Sequence, residues 1–166
     1  MKTIFSLVEL IITLSVIAIL LALMFPVLIK GKAKANRTIC QSNLRQIGIS
    51  LDSYCTYNNN CLPHCESIPS SSDSPTSLVN TLEKGLKRIY FCPSDNAGFY
   101  RKYGISYEWN NLLNGKDFSK PELAFGPLKL KIPVVSDAEP FHTNKQKNFL
   151  YVDGSVSTEL SIEIKE

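Results

Sequence analysis

Leu10 to Ile29 reads LIITLSVIAILLALMFPVLI, and the reading of this stretch decides the fold. It holds no charged side chain, and its only hydroxyls are Thr13 and Ser15. Its 20 residues, coiled as an α-helix at about 1.5 Å each, span about 30 Å, one bilayer hydrocarbon thickness. A cleaved secretory signal is the competing reading. Such a signal has an apolar core of about 7–15 residues and ends at a small-x-small site. This run is longer, and Met24-Phe25-Pro26-Val27 is a poor site of that kind. The run is therefore expected to be a retained membrane anchor.

On the N-terminal side, the only charged side chains before Leu10 are Lys2 and Glu9. A carboxylate at the edge of a spanning helix costs about 1–3 kcal/mol, depending on depth. An interfacial Glu9 reaching the headgroups would account for it. An ion pair with a partner inside the membrane is the functional alternative. Phe5-Ser6-Leu7-Val8-Glu9-Leu10 followed by apolar residues resembles the processing and methylation motif of type IV pilins and type II secretion pseudopilins. The resemblance implies a short leader, residues 1–4, cut off between Ile4 and Phe5 by a prepilin peptidase that then N-methylates Phe5. It implies that Glu9 pairs with the N-terminal amine of a neighbouring subunit during assembly. Pro26 falls where that family commonly has a helix proline. A proline there removes one intrahelical hydrogen bond and can kink the helix. The family normally has Gly before the scissile bond, and this chain has Ile4.

On the other side, Lys30, Lys32, Lys34 and Arg37 follow the apolar run directly. Cations at headgroup level gain about 1 kcal/mol each near an anionic surface. By the positive-inside rule alone, these four against Lys2 and the amine would leave the head in the cytoplasm. The pilin resemblance implies the opposite: a single-pass protein of the bacterial inner membrane with an extracytoplasmic head. The net charge of +3 is too small to argue for nucleic acid.

Beyond Ile29 the pattern becomes amphipathic. Cys40, Leu44, Ile47, Leu51 and Tyr54 are spaced 4, 3, 4 and 3, one apolar stripe on a helix. One helix is expected from about Thr3 to Tyr54, transmembrane over 5–29 and amphipathic over 30–55, interrupted at most by Pro26 and Gly31. Thr56-Tyr57-Asn58-Asn59-Asn60 and Pro63 end it. The head, 56–166, begins with a Ser- and Pro-rich loop from Ser67 to Ser77, then a short helix from about Thr76 to Gly85 with Leu78, Val79 and Leu82 inward. Strands are expected at Arg88–Cys92, Ile105–Trp109, Val134–Ser136, Phe149–Val152 and Val156–Ile164. Asp153-Gly154 between the last two favours a type I′ hairpin turn. The fold class is α+β: a long N-terminal helix packed on a small antiparallel sheet.

Cys40-Gln41-Ser42-Asn43-Leu44-Arg45-Gln46-Ile47-Gly48, Tyr54 and Cys92-Pro93-Ser94-Asp95 resemble a large group of bacterial pilin-like proteins. That group often ends with His, about nine residues, and Asp-Gly. Here His142 precedes Asp153-Gly154 by ten intervening residues. The implied function is structural, a pseudopilin or minor pilin in a type II secretion or type IV pilus-like filament. Like or related subunits, the peptidase and inner-membrane lipid would be its partners. The alternative is an uncleaved, membrane-anchored binding module.

The five cysteines are Cys40, Cys55, Cys61, Cys65 and Cys92. In an oxidising compartment they would form disulfides with one thiol left over. Cys40 with Cys92 would tie the helix to the sheet, and a pair among Cys55, Cys61 and Cys65 would close the loop. Cys61-Leu62-Pro63-His64-Cys65 with Cys55 or Cys92 offers zinc ligands instead. Asp95, Asp137, Glu139 and Asp153 are loop carboxylates that could ligate calcium, though without EF-hand spacing. His142 reads as a loop residue or as a site residue with Asp153. Cys65 with His142 is the one nucleophile pairing to consider. No phosphate loop, nucleophile elbow or H-E-x-x-H motif occurs, so the chain is not expected to be an enzyme.

Overall fold

The computed structural model describes residues 7–82, 87–119, 123–125, 128–130 and 132–160. The expected cleavage site at Ile4 and Phe5 lies outside them. The chain divides into two units, Met1–Ala35 and Asn36–Glu166.

Helix α1 runs from Leu7 to Tyr57 and passes through Pro26 and Gly31 without a break. Its apolar first part is long and apolar enough to cross a membrane, and none of it is buried in the protein. Apolar side chains are exposed all the way round, from Leu7 at 74% to Ile29 at 67%. A helix that is apolar on every side belongs in lipid or in a larger core. Thr13 and Ser15 donate to the carbonyls of Leu10 and Ile12, each at 2.8 Å, so neither hydroxyl needs a partner outside the helix.

From Asn36 onward α1 behaves as the spacing requires. Cys40, Leu44, Ile47 and Leu51 are buried, Tyr54 packs partly against the same core, and Asn43 and Cys55 extend the buried stripe. The helix ends in the Asn-rich stretch. Asn59 and Asn60 adopt φ of 52° and 60°, the left-handed conformation that Asn tolerates better than most residues. Asn60 N–H donates to the Cys55 carbonyl at 2.8 Å, and Asn58 Nδ2 donates to the Tyr54 carbonyl at 2.8 Å.

The stripe packs on a four-stranded antiparallel sheet in the order β1-β4-β5-β6. The strands are β1 Tyr107–Trp109, β4 Val135–Asp137, β5 Phe149–Leu150 and β6 Val156–Ser157. Trp109 pairs with Val135, Val135 with Leu150, and Leu150 with Val156. β2 Leu123–Phe125 and β3 Leu128–Leu130 form a separate hairpin that the sequence pattern does not predict. Short helices α2 Leu78–Leu82 and α3 Phe99–Tyr103 complete the head. This is an α+β pilin-like architecture.

Three expectations are corrected. Arg88–Cys92 is not a strand: Lys87–Tyr90 is a 3-10 turn. The consecutive residues Ile89 and Tyr90 are both buried, and a strand packed on one face would alternate them. β6 stops at Ser157, and Leu160 is exposed; residues 161–164 lie outside the described residues. The Asp-Gly hairpin is not type I′, which needs positive φ at both central residues. Only Gly154 has it, at 76°. Gly154 N–H bonds to the Tyr151 carbonyl and Tyr151 N–H to the Ser155 carbonyl, both at 3.0 Å. That is a tight turn followed by a left-handed glycine.

Candidate functional site

The membrane-compatible half of α1 has one acidic residue, Glu9, in its first turn. A carboxylate there is favoured by the positive end of the helix dipole. Pro26 sits inside the helix, where it removes one hydrogen bond from the ladder.

Cys40 and Cys92 form a disulfide with a sequence separation of 52. It joins α1 to the loop after the 3-10 turn, and both residues are fully buried. Polar contacts strengthen the same junction. Asn43 Nδ2 donates to the Phe91 carbonyl at 2.8 Å, and the Tyr107 hydroxyl reaches the Cys40 carbonyl at 3.5 Å. Burial pushes the Tyr107 hydroxyl pKa well above its ordinary value.

The other three cysteines are free thiols, where the sequence reading expects a second disulfide, and among the described residues the alternative zinc set of Cys61, His64 and Cys65 is not gathered closely enough to share an ion. Cys61 is exposed and its Sγ faces the Asn59 carbonyl. Cys65 is buried against the Thr81 hydroxyl, away from His64, whose ring lies against Gly115. Burial raises the Cys65 thiol. Burial first, and then the nearby Asp52 and Cys61, push the Cys55 thiol up to about 11. The loop is pinned by hydrogen bonds instead. Cys65 N–H donates to Asn114 Oδ1 at 3.1 Å, and Trp109 Nε1 donates to the same oxygen at 2.7 Å.

The loop carboxylates are engaged separately. Asp95 accepts from the backbone N–H groups of Gly98, Phe99 and Tyr100 and from the Ser106 hydroxyl, at 2.8–3.1 Å. It thereby fixes the start of α3. Asp153 accepts from Ser155 N–H at 2.9 Å, inside its own turn. Glu139 is exposed.

Asp137 is different: it is fully buried at the end of β4. Its Oδ2 accepts from Asn148 N–H at 2.6 Å and from Asn148 Nδ2 at 2.9 Å. His142 Nε2 lies 3.1 Å from the same oxygen and 2.8 Å from Asn148 Nδ2. Of the two readings, a loop residue or a site residue with Asp153, neither is what forms: His142 joins Asp137 and sits 4.0 Å from Cys92 Sγ, not beside Cys65. Gln41 on α1 donates to Asn148 Oδ1 at 3.1 Å. Among the described residues, Asp137 Oδ1 and His142 Nδ1 are buried with no hydrogen-bond partner. Sequence reasoning missed this cluster because Asp137 at a strand end and His142 and Asn148 in the following loop share no sequence pattern. The pairing of β4 with β5 brings Asp137 and Asn148 together, and the 3-10 turn Thr143–Lys145 between them sets His142 beside both.

One open groove of about 470 Å³ lies along α1, lined by Arg45, Ile49, Asp52, Phe118 and the Asp153-Gly154 turn. None of the protein-family models, characterised protein sequences or solved structures compared with the chain matches it.

Proposed function

We propose that the chain is a structural subunit of a membrane-derived filament, of the pseudopilin or minor-pilin kind that serves type II secretion or a type IV pilus-like machine. One observation carries this reading. A single helix is apolar on every side over Leu10–Ile29, holds a lone carboxylate at Glu9, and continues into a stripe clamped on an α+β head. In lipid, helices associate by packing and polar contacts, because no hydrophobic drive between them remains. Glu9 then sets register by pairing with the amine of a neighbouring subunit. The head lies outside the inner membrane, where a disulfide such as Cys40–Cys92 persists. The prepilin peptidase and related subunits are the protein partners, and the protein is not an enzyme.

Replacing Glu9 by Leu is expected to leave membrane insertion intact and to abolish co-purification with partner subunits. Unchanged assembly refutes the proposal. A second reading rests on Ile4, which stands where the pilin motif has Gly. In it the chain stays uncleaved and displays the head as a membrane-anchored binding module. Sequencing the N-terminus of the membrane fraction separates the two. N-methylated Phe5 supports the filament subunit, and a retained Met1 supports the anchored module.

A further inference from the structure

We propose that, in the dithiol state, Cys40, Cys92, His142 and Asp137 form a buried binding site for a thiophilic divalent ion of the zinc class. The metal and the disulfide are then alternative crosslinks at one place.

The side chains are already gathered. One ligand atom from each of Cys40, Cys92 and His142 lies within 4.8 Å of the other two, and all three residues are buried. His142 Nε2 and Asp137 Oδ2 are 3.1 Å apart. Two ligand atoms about 2.0 Å from a tetrahedral zinc ion stand about 3.3 Å apart. Cys92 Sγ is 4.0 Å from His142 Nε2, slightly longer than a sulfur–nitrogen edge of about 3.5 Å in such a site. Two thiolates, an imidazole and a carboxylate suit zinc in both donor type and number.

The hydrogen bonding around His142 is frustrated without an ion. If Nε2 carries the proton, that proton serves Asp137 Oδ2 but meets an N–H of Asn148 2.8 Å away. If Nε2 carries the lone pair, it accepts from Asn148 but faces the Asp137 carboxylate at 3.1 Å. A bound cation removes the conflict, because it takes the Nε2 lone pair and an Asp137 oxygen together. Asn148 N–H and Nδ2 then act as outer donors that orient the carboxylate. Asp137 Oδ1, buried without a hydrogen-bond partner among the described residues, is a second oxygen free to approach the ion. The site lacks one support: among the described residues His142 Nδ1 has no hydrogen-bond partner. Missing outer support costs about 10–100-fold in affinity.

The chemistry balances. Cys40 and Cys92 are synthesised as thiols. The metal binds both sulfurs as thiolates and displaces two protons to solvent. Later, a protein disulfide donor takes the two electrons and two protons from solvent and becomes a dithiol. The Cys40–Cys92 bond forms, and the ion is expelled.

The test uses the full chain in detergent micelles with Cys55→Ala, Cys61→Ser and Cys65→Ala, so that no other thiol can bind metal. After anaerobic reduction with a trialkylphosphine, the protein is titrated with Co²⁺ alone and then with Zn²⁺. One equivalent of cobalt with tetrahedral d–d bands and thiolate charge transfer, displaced by zinc, is expected. The oxidised protein should show neither signal. His142→Ala should weaken binding at least 100-fold, and Asp137→Asn should weaken it about tenfold and shift the d–d bands. The absence of a stoichiometric cobalt signal in the reduced protein, folded or unfolded by circular dichroism, overturns the proposal. So does a signal that His142→Ala leaves unchanged, because the metal then sits elsewhere.

Discussion

Opening the Cys40–Cys92 crosslink perturbs the fold in a way whose size follows from the structure. The bond closes a loop of 52 residues. In the chain-entropy description, cross-linking a loop of that length removes about 14 cal/mol/K from the unfolded ensemble, which is about 4 kcal/mol at 25 °C. The unit Asn36–Glu166 has about 130 residues at about 2.1 cal/mol/K each, an unfolding entropy of about 0.27 kcal/mol/K. The loss therefore corresponds to a fall of about 15 °C in Tm. A metal bound to the dithiol would mask part of this fall, so the comparison needs a chelator in every sample.

Trp109, the single tryptophan, is buried in β1 and reports the head directly. Thermal melts of the full chain in micelles, followed by its fluorescence, should show the drop when the oxidised protein is reduced. Cys40→Ala with Cys92→Ala should fall further, by about 1–2 kcal/mol, because two fully buried sulfurs leave small cavities. A reduced, chelated protein that melts within about 3 °C of the oxidised one refutes the reasoning, since the predicted shift is about five times larger.

Asp95→Ala should cost about 2–4 kcal/mol in the same melts, because four donors around the start of α3 lose their acceptor. Gly154→Ala should cost about 1 kcal/mol for its left-handed backbone alone, since a Cβ there meets open space. Gly104→Ala should cost more than Gly154→Ala at the same φ of 76°, because its Cβ would lie 3.1 Å from Ser72 Cβ. Timed alkylation at pH 8 with peptide mass spectrometry should label Cys61 first. A Cys55 thiol pushed from 9.0 to about 11 holds about 100-fold less thiolate than it would at its ordinary value, and it is buried where Cys61 is exposed; equal rates at the two sites contradict this. Because folding raises the Cys55 pKa from 9.0 to about 11, the unfolded chain loses that proton first. Its contribution to stability is full below pH 9 and is lost as pH rises from about 9 to about 11, a slope that Cys55→Ala should flatten in melts across that range.

The helix and its two characters were legible because one half is apolar without a break and the other repeats with a single helical period. Leu10–Ile29 is apolar throughout, and the 4-3-4-3 spacing from Cys40 to Tyr54 selects one face. The sheet was legible where aromatic and branched residues cluster, at Tyr107–Trp109, Val135–Asp137 and Phe149–Leu150. The reading failed where tertiary contacts outweigh local pattern. Arg88-Ile89-Tyr90-Phe91-Cys92 has strand composition, yet the disulfide to α1 and the Ser106 N–H bonded to the Tyr90 carbonyl hold it as a turn. Helix α3 did leave a signal: Asp95 ahead of Gly98, with Gly104 closing the segment, both glycines at φ 76°. The Asp137–His142–Asn148 cluster left none, because strand pairing and an intervening turn assemble it.

The polar inventory of the first half of α1 sharpens what Glu9 does. An all-round apolar helix gives lipid and neighbouring helices the same surface, so apolar side chains alone specify neither partner nor register. Three side chains between Leu7 and Ile29 carry polar atoms: Glu9, Thr13 and Ser15. Thr13 and Ser15 already spend their protons on carbonyls three residues back. Glu9 alone keeps a group whose cost in the membrane falls when a cation arrives. Assembly that depends on this helix should therefore tolerate Thr13→Ala with Ser15→Ala and fail with Glu9→Gln, which keeps the shape and removes the charge. Quantifying partner subunits recovered with each variant from detergent-solubilised membranes checks this. Equal recovery from both would mean that packing alone sets the register, and the carboxylate would then be only an interfacial residue.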